Sequence, residues 1–409
     1  MLNGDGINDD TSAIQALIDT GSSHIILPTP KKNYAISKPL VLRSGQTLQL
    51  GPTTIIRLLP GSSCNMLIND LAETEAHDIR LIGGIWDMDN NNQGANPIHP
   101  EFASDTEYPF IGLEEADEKR RAERDFNFSY RGVPIQFRDV TRLEIRDLTV
   151  RSPVTYAIRV AGIKYFTMEN IRFDYEGPRP HKINMDGINL NGGCKFGVIR
   201  NIQGTTYDDL IAFNTPDGPP GSVEHIQIDG LFAENCLRFV RFLTVEERVS
   251  DITINNVMGS SYSNPIEFSQ YGGRTKTSNY GKIVIRNVFV SSGPRPESDK
   301  RDLPPAPSFR FSDRINIDHL TIENFYRYET FKASPVFQIG HMVTIKNLIL
   351  SNISLDKTIE GNMPLFEHNG VIDKLSAGNL DVPEDMAVTG KGKVGRLITD
   401  GSYPALKFE

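Results

Sequence analysis

Three aspartates near the middle of the sequence have the residue type and spacing that acid–base chemistry needs. Asp186 stands in the segment INMDGINL, and Asp208 and Asp209 stand side by side in TTYDDLIAF, 22 residues further on. Carboxylates held close together repel one another, which raises the pKa of at least one and provides a proton donor at mild pH. The others stay ionised and can activate a water molecule. Hydrolysis of a glycosidic bond requires this division of roles.

Other chemistries fit the same residues. Carboxylates are calcium ligands, and a calcium-dependent lyase would use the three aspartates to hold the ion. Arg241, 32 residues beyond Asp209 in RFVRFLTV, would then be the candidate base. Aspartates are also common in turns and on solvated surfaces. Which of these holds depends on whether the chain brings the residues together.

A repeated sequence pattern predicts how the chain does so. Alternating apolar residues, a polar turn residue and further alternation recur at 143–150, 166–173, 197–204, 226–233, 252–259, 283–290, 315–322 and 343–350, with an earlier copy at 78–87. The turn residues, 23 to 32 positions apart, are Asp147, Asn170, Asn201, Gly230, Asn256, Asn287, His319 and Asn347. Asparagine and aspartate favour such kinks because they tolerate left-handed φ angles.

The pattern predicts an all-β chain, a right-handed parallel β-helix that forms one domain over 1–409. Alternation points every second side chain inward. The intervals are too short for regular βαβ units and for propeller blades of about 40 residues. The repeats are also not dominated by leucine, as leucine-rich repeats are. The asparagines should stack in an internal ladder. Because neighbouring coils lie about 4.8 Å apart, residues one interval apart in sequence become neighbours in space.

Two segments are expected to cover or line this solenoid. In GDGINDDTSAIQALID, Asp10 or Thr11 can cap a short helix with Ile14, Leu17 and Ile18 on one face. We therefore predict an N-terminal cap at 7–20, which a solenoid needs to protect its exposed core. The charged insertion at 98–131 is either a solvated helix or a wall of a binding cleft.

Composition excludes several partners. The net charge of −9 argues against nucleic acid. No apolar run approaches the length of a membrane span. Cys64, Cys194 and Cys236 are too few and too scattered for a disulfide framework or a metal motif, so we expect buried thiols. No cofactor or resident metal is expected, and the oligomeric state is not readable. The opening MLNGDGINDD carries no signal-peptide pattern, which suggests a trimmed or mature start.

From Ser152 to Tyr271 the sequence resembles the polygalacturonase family, glycoside hydrolase family 28, within the pectin-lyase-like β-helix superfamily. The matching motifs occur in the family's order: RSPVTYAIRVAG at 151–162, NMDGINL at 184–190, YDDLIAF at 207–213, VRFLT at 240–244 and NPIEFSQYGG at 264–273.

The resemblance implies a fold, a reaction and roles for single residues. Asp208 would be the general acid, and Asp186 and Asp209 would hold and deprotonate the attacking water, with inversion at the anomeric carbon. The residues implied in contacts with a carbohydrate substrate are Asn184, Tyr207, Arg241, Tyr271 and His181. The resemblance also implies a secreted or periplasmic location.

The sequence departs from the family at two points. The "GHG" motif is replaced by TPDGPPGSV at 215–223, and Leu243 stands where a lysine would bind a uronate carboxylate. His225 lies near the first position but falls within a strand pattern. We therefore expect a divergent glycoside hydrolase acting on pectin or another complex glycan. The alternatives are the calcium-dependent polysaccharide lyase and a non-catalytic, tailspike-like glycan-binding protein.

Overall fold

The computed structural model describes residues 1–93, 132–175, 184–217, 219–270, 276–297, 307–312, 314–383 and 388–400. The insertion predicted at 98–131 lies outside the described residues, as do His181 and Tyr271.

Within the described residues, one α-helix and two parallel sheets make up the regular structure, apart from short 3₁₀ turns. The helix is α1, Thr11–Ile18. Sheet A contains 16 strands in the described ranges: β1 His24–Ile26, β2 Tyr34–Ile36, β4 Thr47–Gln49, β5 Ile55–Leu58, β7 Ala76–Ile82, β8 Ile85–Asp87, β10 Val140–Arg151, β12 Lys164–Asp174, β14 Lys195–Gly204, β16 Val223–Cys236, β18 Arg248–Ser261, β20 Ser278–Ser292, β22 Ile315–Glu329, β24 Val343–Lys357, β26 Val371–Asp381 and β28 Lys393–Thr399.

Sheet B contains 12 strands in the same part of the chain: β3 Leu40–Leu42, β6 Leu67–Asn69, β9 Ile135–Arg138, β11 Ile158–Ala161, β13 Ile188–Leu190, β15 Asp209–Asn214, β17 Arg238–Leu243, β19 Ile266–Ser269, β21 Phe309–Phe311, β23 Phe337–Ile339, β25 Phe366–His368 and β27 Val388–Thr389. From β9 onward the chain alternates between the sheets, so each coil gives one short strand to sheet B and one long strand to sheet A. The chain is a right-handed parallel β-helix with a short N-terminal helix, which confirms the predicted fold.

A single apolar core runs along the axis between the sheets. All eight repeated segments from 143–150 onward lie in long strands of sheet A, with alternate side chains buried. Under the middle of sheet B, Phe213, Phe242, Phe268 and Phe311 stack with ring centroids 4.8, 4.4 and 5.0 Å apart. Because stacked rings fix the spacing of successive coils, this column holds strands β15 to β21 in register.

The asparagine ladder differs from the prediction in two ways. It runs on the outer surface of sheet A, where the side-chain amides form hydrogen bonds from coil to coil in positions open to solvent. Its later members are Asn324, Asn352 and Asn379, with φ of 55°, 56° and 51°. His319 and Asn347, proposed as turn residues from the sequence, instead lie within the first halves of β22 and β24.

Replacing Asn324 with alanine should cost about 1–2 kcal/mol of unfolding free energy, because alanine has no favourable contact to offset a left-handed backbone. The variant also loses the bonds that Asn324 shares with Asn287 and Asn352, both 2.8 Å long. The matched control Asn324→Gly removes the same bonds but accepts the φ angle, so it should be less destabilised in urea titration. Equal losses in the two variants would show that the backbone conformation is not the cause.

The N-terminal helix is close to the predicted segment but is capped differently. Ile14 and Ile18 are fully buried, whereas Leu17 is 37 % exposed and does not share their face. The Asp10 carboxylate does not cap the helix, because it accepts N–H bonds from Asn3 and Gly4 at 2.6 and 3.1 Å. These bonds tie the first residues of the chain to the start of the helix.

Candidate active site

Sheet B positions the three aspartates through the register of two neighbouring strands. Ile188 of β13 pairs with Ile211 of β15, which sets Asp186 beside Asp209. The backbone N–H of Asp209 donates to Asp186 Oδ1 at 3.3 Å. Gly187 allows this approach, because a Cβ there would lie only 2.5 Å from the carbonyl oxygen of Leu210.

The carboxylates of Asp186, Asp208 and Asp209 come together in one buried cluster. One oxygen from each lies within 4.8 Å of the other two. Asp186 and Asp209 are each 3 % exposed, whereas Asp208 is 7 % exposed. Asn189, in the strand that directly follows Asp186, donates its side-chain N–H to Asp186 Oδ2 at 2.6 Å and so fixes that carboxylate. Roles within the cluster stay predictions.

A buried arginine that the sequence analysis did not single out neutralises part of this charge. Arg238 Nη1 lies 3.3 Å from Asp208 Oδ1 and 3.2 Å from Asp209 Oδ1, and its Nε contacts Glu267 Oε2. Glu267 also accepts a bond from Asn264 Nδ2 at 3.0 Å. Arg238 and Glu267 are 8 % and 4 % exposed, so they form a buried extension of the aspartate cluster.

Burial and mutual repulsion leave the cluster with an elevated affinity for protons. Burial, then the charges of Asp209 and Asp208, raise the pKa of Asp186 well above its usual value. Burial and Asp208 raise the pKa of Asp209 to about 7, against the opposing effect of Arg238 and Arg241. Burial also disfavours ionised Glu267, but the positive charges of Arg238, Arg241 and Arg310 together outweigh it and lower that pKa to about 2. The cluster therefore retains a proton near neutral pH while Glu267 stays ionised.

The raised pKa of Asp209 predicts a pH dependence of stability. The folded chain keeps this proton between about pH 4 and 7, where the unfolded chain has lost it, so stability should fall as the pH rises through that window. One such group contributes a slope of up to about 1.4 kcal/mol per pH unit. Asp209→Asn should flatten the slope in urea titrations from pH 4 to 8, whereas Asp229→Asn on sheet A should not. An unchanged slope in Asp209→Asn would contradict the shift.

The other predicted site residues are placed as follows. Arg241 pairs in register with Ala212, not with an aspartate, and its Nε donates to Ser269 Oγ at 3.3 Å. Asn184 is half-buried with φ of 52°, two residues before Asp186. Tyr207 is half-buried and packs against the apolar core. The substrate contacts of all three residues stay predictions.

The two sequence departures also have positions in the fold. Leu243 is buried at the end of β17. His225 lies on sheet A, where its ring stacks on Phe196 with centroids 4.9 Å apart. His225 therefore does not supply an imidazole to the aspartate cluster.

None of the described helices is long and apolar enough to span a membrane.

Arg238 could have been found from the repeat itself. It follows Asp209 by 29 residues, the same interval that separates Asn201 from Gly230 on sheet A across that coil. Arg241 follows Asp209 by 32 residues, so it lies three positions beyond the residue that pairs with Asp209. No comparable sequence interval identifies Glu267, because its ion pair with Arg238 depends on how two side chains on neighbouring strands are directed.

Comparisons with known proteins give the fold only. No protein-family model and no curated protein matches the sequence. Among solved structures, the endo-xylogalacturonan hydrolase from Aspergillus tubingensis is similar with a TM-score of 0.63 and 13% identity, covering 96% of this chain and 98% of that chain.

Two further structures share the architecture. A tailspike protein mutant of E. coli bacteriophage HK620, in complex with a pentasaccharide, has a TM-score of 0.59 and 12% identity over 97% of this chain and 75% of that chain. The exopolygalacturonase from Thermotoga maritima has a TM-score of 0.57 and 13% identity over 98% and 90%. At such identities the likeness shows a parallel β-helix common to all four chains.

Proposed function

We propose that this protein is a glycoside hydrolase that cleaves a glycosidic bond in a poly- or oligosaccharide, pectin or another complex glycan. The cluster of Asp186, Asp208 and Asp209, with one oxygen of each within 4.8 Å of the others, carries the proposal. The order of the family motifs and the two similar hydrolase structures support it. A polymeric substrate also agrees with the secreted or periplasmic location that the motifs imply.

In the proposed mechanism, Asp208 protonates the leaving glycosidic oxygen. It is the most exposed of the three carboxyls, so it is best placed to reach a bond in a bound glycan. The raised pKa values belong to Asp186 and Asp209. The assignment of Asp208 as the general acid therefore rests on its exposure and on the motif resemblance. As the bond breaks, water attacks the anomeric carbon and gives its proton to Asp186 or Asp209. The cluster then holds as many protons as before.

The spacing of the cluster bears on the stereochemistry. Oxygens within 4.8 Å are closer than the separation of about 6.5–9.5 Å common to the acid and base of inverting glycosidases. One water can bridge Asp186 and Asp209 at this distance. In that arrangement neither carboxylate forms a covalent bond to the sugar. Inversion is proposed from the motif resemblance and not from this spacing, with a water that bridges these two residues as the nucleophile.

A second candidate is a calcium-dependent polysaccharide lyase, which the same cluster favours because three close carboxylates can hold a cation. Arg238 weighs against it, since its guanidinium already contacts Asp208 and Asp209 and would repel a divalent ion. A third candidate is non-catalytic glycan binding, for which the tailspike-like fold is the supporting observation.

One assay separates the three candidates. The protein is incubated with a panel of plant and host polysaccharides, with and without a calcium chelator, and both reducing ends and ultraviolet absorbance are followed. We expect new reducing ends that are insensitive to the chelator and bring no absorbance. Chelator-sensitive release of an absorbing, unsaturated product would replace the hydrolase with the lyase. Binding of a glycan without cleavage would support the third candidate.

A further inference from the structure

A series of buried side chains leads away from Asp186 to an arginine on the preceding strand of sheet B. Asn189 donates its side-chain N–H to Asp186 Oδ2 at 2.6 Å. Asn191 donates to Asn189 Oδ1 at 2.7 Å, and Arg159 donates its Nε–H to Asn191 Oδ1 at 2.6 Å. The two asparagines are fully buried and Arg159 is 3 % exposed, so solvent does not compete for these bonds. Arg159, Asn191 and Asn189 are together termed the amide relay.

The fold places the relay through the alternation of β13 and its register with β11. Ile188 and Leu190 belong to the core, so Asn189 between them points to the outer side of sheet B. Arg159 of β11 pairs in register with Asn189. The backbone pairing of two neighbouring coils therefore brings the relay together beside Asp186.

The direction of every bond in the relay is fixed at its far end. A guanidinium has only donors, so the Asn191 side chain must turn its oxygen towards Arg159. The Asn191 amide nitrogen then donates to Asn189 Oδ1 and to the main-chain carbonyl oxygen of Asn214, at 2.7 and 2.9 Å. Since Asn189 accepts through its oxygen, its amide nitrogen must face Asp186. The carboxylate of Asp186 therefore meets a donor and not an acceptor.

The relay and one main-chain group together hold both oxygens of the Asp186 carboxylate. Oδ2 accepts from Asn189, and Oδ1 accepts from the backbone N–H of Asp209 at 3.3 Å. A carboxylate has about four acceptor positions, so it can still accept from a water molecule. Both bonds favour the ionised form and so oppose the burial and repulsion that raise the pKa of Asp186. The carboxylate is thus oriented and is better able to take a proton.

We propose that Asn189, Asn191 and Arg159 are positioning residues, which hold the Asp186 carboxylate as the acceptor of the proton from the attacking water. The inference rests on the proposed function, in which Asp186 or Asp209 takes that proton, and it assigns this role to Asp186. Asn189 and Asn191 are fully buried, so they act through Asp186 and not on the sugar.

Replacing Asn189 with leucine tests the relay at its contact with Asp186. Leucine has the same branched shape but cannot donate, so ionised Asp186 loses a charge-assisted bond. Because the base must be ionised, we expect the pH profile of kcat to move to higher pH. On the acidic side of the profile kcat should fall about 10- to 100-fold, with little change in KM. The measurement is reducing-end release from pH 4 to 9 on the best substrate of the polysaccharide panel.

The matched control is Asn255→Leu on sheet A. Asn255 donates to Asp229 Oδ1 at 3.1 Å, so the same change removes the same kind of bond away from the site. This variant should keep the turnover and the pH profile of the parent protein. A parental profile in folded Asn189→Leu, or the same change in both variants, would overturn the relay.

Two variants of Arg159 test the far end. Arg159→Met removes the donor that turns the Asn191 oxygen, whereas Arg159→Lys keeps a cation that can only donate. Arg159→Met should move the profile in the same direction as Asn189→Leu, but less, because the Asn214 carbonyl still holds Asn191. Arg159→Lys should recover part of the change. Equal losses in the two variants would contradict a direction set by the cation.

Urea titration separates this inference from the proposed function, because it needs no substrate. The bond from Asn189 stabilises the fold most where Asp186 is ionised, so the cost of Asn189→Leu should grow as the pH rises from 4 to 9. The cost of Asn255→Leu should stay constant. Cleavage by the parent protein with a pH-independent cost in Asn189→Leu leaves the hydrolase and removes the relay. A cost that grows with pH, without cleavage by the parent, removes the hydrolase and leaves the relay as the group that orients Asp186.

Discussion

Replacing Asp208 with asparagine should lower the turnover number by about 10²- to 10⁴-fold, the usual contribution of a general acid. The amide has the shape of the carboxylic acid but cannot donate the proton that the leaving oxygen needs. Stability should hold, because the change removes one of three buried like charges and leaves Arg238 in contact with Asp209 and Glu267. The measurement is the rate of reducing-end release, with a melting curve to show that the fold is intact.

The control for this variant is Asp229→Asn, the same chemical change on sheet A, which should leave turnover unaltered. Asp229 accepts side-chain bonds from Asn255 and Asn256 at 3.1 and 2.8 Å, so a small loss of stability is its expected effect. If Asp208→Asn keeps more than a tenth of the activity, the acid is another residue. Asp186→Asn and Asp209→Asn then decide which.

Replacing Arg238 with methionine should be the most destabilising change in the site, at about 3–5 kcal/mol of unfolding free energy. Methionine fills much of the same space but leaves Asp208, Asp209 and Glu267 buried without their shared cation. The loss should be largest at neutral pH and shrink as the pH falls, because protonation then removes the unpaired charges. Urea titration at pH 7 and pH 4 measures both effects.

Two companion variants test the cause. Adding Glu267→Gln to Arg238→Met should recover part of the stability, since one unpaired charge is removed with its partner. Arg286→Met breaks an exposed pair with Glu323, 2.6 Å long, and should cost less than about 1 kcal/mol. A loss in Arg238→Met no larger than in Arg286→Met would mean that the arginine does not compensate the buried acids.

The coil architecture was predictable because each repeated segment shows the alternation of apolar and polar residues that is typical of a β-strand. Segments such as ITINNVMG contain both the buried alternate residues and the asparagine kink, here Asn256 with φ of 58°. The prediction was wrong at His319, because INIDHLTI is only the first half of β22 and resembles a whole unit. The kink of that coil is Asn324, 37 residues after Asn287.

The candidate site was only partly predictable, for reasons of geometry. Acidic side chains with a known motif order pointed to Asp186, Asp208 and Asp209 directly. The arginine that contacts them, Arg238, depends on which residues face each other across a coil. Arg241, predicted to contact substrate, lies on the same strand, and its role stays a prediction. The ion pair of Glu267 depends on a contact between coils that no single segment of sequence contains.

The anomeric configuration of the first product tests the central claim most directly. Proton magnetic resonance can follow the best substrate of the panel within minutes, before the released sugar equilibrates. We predict a hydrolysed product whose new reducing end has the anomeric configuration opposite to that of the cleaved bond. A retained configuration would show a covalent intermediate in place of the bridging water, and an unsaturated product would show elimination. Either result would contradict hydrolysis by water held between Asp186 and Asp209.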